Sequence, residues 1–156
     1  MSRPAHRRLT PQWCQRTLRL TAIERGNLVA TIDLDRAGFE AAVNSDDSIV
    51  LVDFWAEWCG PCRQFGPIFE RVSEKHPDIT FAKVDTDAEQ DLSAMAGIRS
   101  IPTLMIFRDG VLLYNQAGAA PEPALEDLIS QVRGLDMAAV RAEIDAQQAT
   151  SEEPAP

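Results

Sequence analysis

Val52-Asp53-Phe54-Trp55-Ala56-Glu57-Trp58-Cys59-Gly60-Pro61-Cys62 is the stretch on which the reading of this chain turns. Two cysteines three positions apart follow directly on Ile49–Trp55, an apolar run of strand-forming residues with one acid, Asp53. Such a run suits a central strand covered on both faces. A Cys-x-x-Cys pair just beyond it reads as a redox dithiol, since a metal site usually needs a second pair and none is present. Cys62–His76 then places Phe65, Ile68, Phe69 and Val72 at helical spacing. The first cysteine therefore meets the start of a helix, where unpaired N–H groups and the positive dipole end favour a thiolate.

Outward from this centre the chain alternates. Leu28–Ile32 reads as a short first strand, and Asp35 or a neighbour caps a helix running to Val43, with a polar loop over Asn44–Ser48. Pro67 interrupts the backbone bonding of the cysteine helix and should kink it. Ile79–Asp85 is the third strand, and Ala88–Ala96 is a short helix stopped by Gly97. Thr103–Phe107 and Val111–Gln116 flank Asp109-Gly110, a hairpin signal. Glu122–Arg133 turns Leu125, Leu128, Ile129 and Val132 inward. The order β-α-β-α-β-α-β-β-α predicts an α/β fold, a mixed five-stranded sheet with helices on both faces.

Composition narrows the function. An apolar fraction of 45% and a charged fraction of 25% over 156 residues fit one water-exposed domain with extensions. Three cysteines are too few for a disulfide scaffold. The net charge of −9 is unevenly spread. Residues 1–26 carry six arginines and one acid, whereas the remainder carries nine Lys/Arg against 23 Asp/Glu. The acidic remainder argues against nucleic acid as a partner. No apolar run reaches the ~18 residues of a membrane helix, so no membrane role is expected. Met1–Gly26 lacks the apolar stretch of a secretory signal; a basic, poorly ordered arm is expected, with a mitochondrial presequence as the alternative. Cys14, beside Trp13, reads as structural or incidental rather than as a regulatory thiol, with His6 the sole nearby ligand candidate. Domain boundaries follow: the arm over 1–26, a folded domain over 27–134, and an extension over 135–156. In that extension Met137–Gln148 forms a weak helix and Thr150–Pro156 an acidic, disordered tail.

Trp58-Cys59-Gly60-Pro61-Cys62 resembles the thioredoxin active site, and Asp53-Phe54-Trp55 stands where thioredoxins have the same residues. Ala82-Lys83-Val84-Asp85, Gly97-Ile98-Arg99-Ser100-Ile101-Pro102-Thr103 and Gly118 resemble that family's other landmarks. The likeness spans about Leu28 to Gly134. Phe65–Glu70 and Asp91–Ala94 through Phe107 are similar to the bacterial branch that carries an N-terminal zinc ribbon. The ribbon's four cysteines are missing here, so no metal is expected.

The residues and the resemblance together give a set of expectations. Cys59 attacks a client disulfide, and Cys62, one turn deeper on the same helical face, resolves the mixed disulfide. Gly60 leaves room for a client chain, and Pro61 removes one N–H donor from the Cys59 sulfur, favouring a reductant. Asp53, an acid within a core strand, has its pKa raised by burial. The resemblance implies that it takes the Cys62 proton, through a water, with Lys83 partly offsetting its burial. The opposing reading is an acid turned to a strand end to accept backbone N–H groups. The resemblance also implies a cis Ile101–Pro102 bond facing the dithiol, with Trp58, Ile101, Gly118 and Ala119 as an apolar rim for clients. Trp55 is as readily core as surface, and His76 reads as a capping or solvated residue. No bound cofactor is implied; electrons come from NADPH through thioredoxin reductase, and the protein is a cytoplasmic monomer. The rivals are an oxidase or isomerase of the same fold, and a binding or chaperone-like subunit whose dithiol is dispensable.

Overall fold

The computed structural model describes residues 30–151. The basic arm, Trp13, Cys14 and His6, and the tail from residue 152 onward lie outside the described residues. The strands are β1 (Thr31–Asp33), β2 (Ile49–Trp55), β3 (Thr80–Asp85), β4 (Thr103–Arg108) and β5 (Val111–Ala117). The helices are α1 (Arg36–Val43), α2 (Gly60–Lys75), α3 (Gln90–Met95), α4 (Glu122–Gly134) and α5 (Met137–Ser151). The sheet runs β1-β3-β2-β4-β5, with β1, β3 and β2 parallel and β4 and β5 antiparallel to their neighbours.

β2 is the middle strand because both its faces are apolar: Val50 to Phe54 are buried. Alternation along the strand divides the core in two. Leu51 packs with Phe65, Phe69 and Val72 of α2 and Leu125, Ile129 and Val132 of α4. Phe69 stands edge-on to Phe81 of β3 at 5.1 Å between centroids. Val50, Val52 and Phe54 face the other way, onto Phe39 and Val43 of α1 and Leu92 of α3. Each such fully buried side chain contributes about 1.5–3 kcal/mol. By the same alternation Asp53 lies on the Leu51 side, toward α2.

Local chemistry sets the ends. Asp35 accepts a 2.7 Å bond from the Gly38 N–H and caps α1. Asp109 and Gly110 both have positive φ, 52° and 80°, the twist that a two-residue hairpin between β4 and β5 needs. α2 begins at Gly60 with Cys59 at its N-terminus, as expected, and the Cys59 sulfur accepts the Cys62 N–H and closes the first turn. It continues through Pro67, which has no N–H to give the carbonyl of Arg63. β1 lies slightly later than expected, at Thr31–Asp33, where it pairs with Phe81–Lys83 of β3.

The far end of the sheet is fastened by arginines. Arg108 Nη1 donates to the carbonyls of Val132, Arg133 and Leu135 at 2.6, 3.1 and 3.1 Å, capping α4 from a neighbouring strand. Arg141 of α5 reaches the carbonyl of Asp109 in the hairpin turn at 2.9 Å, and Met137 is buried. His76, at the end of α2, joins an ion network: its Nε2 lies 2.7 Å from Glu126 and its Nδ1 3.2 Å from Arg133. No helix among the described residues is long and apolar enough to cross a membrane.

Candidate functional site

Where β2 ends and α2 begins, the sulfurs of Cys59 and Cys62 are joined in a disulfide, with the Cα atoms 5.2 Å apart. Cys59 is the N-cap of α2, in extended conformation, and its Sγ accepts the Cys62 N–H at 3.2 Å. A sulfur thus occupies the place where a Ser or Asp oxygen ordinarily satisfies the first helical N–H groups. Pro61 sits between them and has no N–H, so one of the two usual capping donors is missing. A Cβ built at Gly60 meets nothing within 4 Å, and its φ is not in the left-handed region. Nothing within the described residues demands glycine there.

Sequence reasoning sets one sulfur near solvent and the other behind it, whereas both cysteines are only 4% exposed in the disulfide. The cover comes from Ala56 together with Trp55 and Ile101, which pack on the pair. The Ile101–Pro102 bond is cis, and the Ile101 carbonyl lies 3.6 Å from Cys59 Sγ. A disulfide sulfur has no proton to give, so this is a contact and not a hydrogen bond. The Gly118 N–H bonds the Pro102 carbonyl at 2.8 Å, with Gly118 at φ +112°, a backbone shape other residues rarely adopt. Ala119 follows it and is exposed. Trp58 is 68% exposed and is anchored by its indole N–H to Asp87 at 2.9 Å. Trp58 and Ile101 line one cavity of about 460 Å³ with Ser93, Ala94, Ile98 and Arg99.

Asp53 is completely buried, and neither of its oxygens has a hydrogen-bond partner within the described chain. Burial raises its pKa to about 7, while the charge of Lys83 pulls the other way. The alternative of an acid satisfied by backbone N–H groups is not what the structure holds. Lys83 is its register partner on β3. The ammonium, however, forms its ion pair with Glu70, 3.7 Å away, and lies 4.7 Å from the centre of the Trp55 ring. Trp55 is therefore neither plain core nor surface: it packs on the dithiol cluster and lies under this lysine.

Asp87 and Glu70 are site neighbours that sequence reading passed over. Glu70 carried a signal: Cys62, Gly66 and Glu70 recur every four residues and share one face of α2. Asp87 lies in the turn after β3 and gave none. Among the described residues no group of three or more His, Cys, Asp or Glu could hold a metal ion.

The described fold and site have clear counterparts. The thioredoxin family model matches residues 30–131. A protein named putative thioredoxin 2 from Streptomyces coelicolor is 51% identical over 122 residues, covering 78% of this chain and 90% of its own. A thioredoxin from Coprinus comatus is 46% identical over 95 residues, covering 60% of this chain and 88% of its own. Among solved structures, a mutant thioredoxin from Halobacterium salinarum superimposes with a TM-score of 0.62 at 34% identity, covering 68% of this chain and 93% of its own. Plasmodium falciparum thioredoxin gives 0.59 at 33% identity, covering 65% and 97%.

Proposed function

As this chain belongs to the thioredoxin family, we propose that the residues gathered around Cys59 and Cys62 divide one exchange reaction among them. The protein is a thiol–disulfide oxidoreductase that reduces protein disulfides through this pair and needs no bound cofactor. The observation that carries the assignment of roles is the N-cap sulfur: Cys59 Sγ receives the Cys62 N–H in the first turn of α2, so its thiolate is the form the backbone stabilises.

In the reduced protein the Cys59 thiolate attacks one sulfur of a client disulfide. A bond forms between Cys59 and that sulfur, and the client's other sulfur leaves as a thiolate and takes a proton. Cys62 then gives its proton to the Asp53 carboxylate, whose raised pKa suits proton transfer near neutrality. The Cys62 thiolate attacks Cys59, the Cys59–Cys62 bond forms, and the second client sulfur leaves. The client gains two electrons and the dithiol loses two. Lys83 moderates the burial of Asp53 by its charge. Trp58, Ile101, Pro102, Gly118 and Ala119 form the client-facing rim, supported by the cavity beside Trp58 and the contact of Ile101 with Cys59. Gly60 admits the client chain and Pro61 keeps the thiolate reactive.

Thioredoxin reductase, with electrons from NADPH, restores the dithiol, and the protein acts as a monomer on disulfide-containing clients. The setting that suits a recycled reductant is a reducing one, the cytoplasm. The deciding experiment is reduction of insulin disulfides with reductase and NADPH. Turnover that depends on both cysteines is expected. Cellular function that survives in a Cys59→Ser/Cys62→Ser variant, which cannot reduce insulin, would overturn the reading in favour of a binding role. For Asp53, stopped-flow reduction of Asp53→Asn should show the second step slowed more than the first; an unchanged second step removes it from the mechanism.

A further inference from the structure

Lys83 has a carboxylate beside it that it does not bond. Asp53 and Lys83 are register partners on adjacent parallel strands, yet both oxygens of Asp53 lack a hydrogen bond. Two opposite charges so placed in buried surroundings would ordinarily close on each other. The ammonium instead lies along α2. It pairs with Glu70 at 3.7 Å, covers the face of Trp55 at 4.7 Å, and lies beside Gly66, where a built Cβ would be 4.0 Å from Nζ. Lys83 is only 17% exposed while Glu70 is 51% exposed, so the pair ties an inner cation to an outer anion.

We propose that Glu70 is a positioning residue for the exchange reaction: by holding the Lys83 ammonium along α2, it leaves the oxygens of Asp53 free to take the Cys62 proton. This rests on the reading of Asp53 as the base. The Trp55 face gives the ammonium a second attraction beside Glu70.

Other carboxylates face the same lysine. Asp33 of β1, Asp35 at the cap of α1, Asp85 of β3 and Glu89 before α3 line, with Lys83 and Trp55, a cavity of about 370 Å³. Among the described residues Glu70 is the one that forms an ion pair with it. The others are the same in wild type and in every variant of Glu70 or Lys83. Removing Glu70 has two effects on Asp53, and they agree in sign. A nearby negative charge is lost, and the ammonium is released toward the acid; both favour the carboxylate.

The test follows the side-chain carbon of Asp53 by NMR through a pH titration of the oxidised protein. Glu70→Gln is expected to lower the Asp53 midpoint by about one pH unit, the effect of a cation brought within bonding range. In a Lys83→Gln background the same substitution should move it by less than about a third as much, because only the direct repulsion remains. In stopped-flow reduction the pH profile of the second step should move down with the midpoint, and its plateau above about pH 8 should fall, because an Asp53 engaged by Lys83 is a weaker and less available base. An unmoved or raised midpoint overturns the role of Glu70, as does an equal shift with and without Lys83. A lowered midpoint with an unmoved kinetic profile supports the placement of Lys83 and overturns Asp53 as the base.

Discussion

Asp53 makes the stability of the protein depend on pH in a direction opposite to that of most carboxylates. Unfolded, its carboxyl ionises near the ordinary 3.8; folded, burial holds the proton until about pH 7. Between these values the folded chain binds more protons than the unfolded one, so stability falls as pH rises. The slope from this one group reaches about 1.4 kcal/mol per pH unit, and over the interval of about three units the loss is about 4 kcal/mol. It is fully felt above the folded midpoint and absent below about pH 4. Asp53→Asn removes the titration while keeping the shape, although its unpartnered amide is itself costly by about 1–3 kcal/mol. The variant should therefore gain on the wild type as pH rises from 4 to 7, with the difference flat beyond about 8. Urea unfolding of both oxidised proteins at several pH values measures this, and the difference between them cancels every other titrating group. A difference that does not change with pH, or that turns in favour of the wild type as pH rises, refutes the claim that a desolvated carboxyl sits in this core.

Pro61→His should raise the redox potential, by about 30 mV for each ~1.4 kcal/mol of added thiolate stabilisation, since it restores an N–H and brings a partial charge. Equilibration with a glutathione buffer measures it, and an unchanged or lower potential contradicts the account of Pro61. Arg108→Met should cost about 2 kcal/mol in urea unfolding, because three carbonyls at the end of α4 lose a charged donor. Insulin reduction at a temperature where the variant is folded should be unaffected, and a stability loss below about 0.5 kcal/mol would show that water replaces the arginine without penalty.

Much of this was legible in the sequence because the relevant signals are local. Ile49–Trp55 announced a middle strand by being apolar at both parities, and Asp109-Gly110 announced a hairpin by needing two positive φ values. Cys59 and Cys62 identified themselves, since their spacing alone fixes one turn of helix between the sulfurs. Asp53 was conspicuous as a charge in an apolar run. What escaped depends on how separate elements meet. The choice of Lys83 between Asp53 and Glu70 is settled by the distance from α2 to β3, which no periodicity encodes. The equal burial of the two cysteines comes from Ile101, 39 positions beyond Cys62, folding back over them. The capping of α4 by Arg108 joins residues about 24 positions apart through side-chain reach.

The register of β2 with β4 sets Phe54 opposite Thr103 and Ile49 opposite Arg108, so chemistry and fastening occupy opposite rims of the same sheet. The rim proposed to meet clients carries the dithiol; at the other, Arg108 holds the end of α4 and Arg141 the hairpin turn. Wear at the working rim is thereby uncoupled from the seam that closes the molecule. Trimming the chain after Gly134 would loosen that seam while leaving the electron-carrying rim as it was.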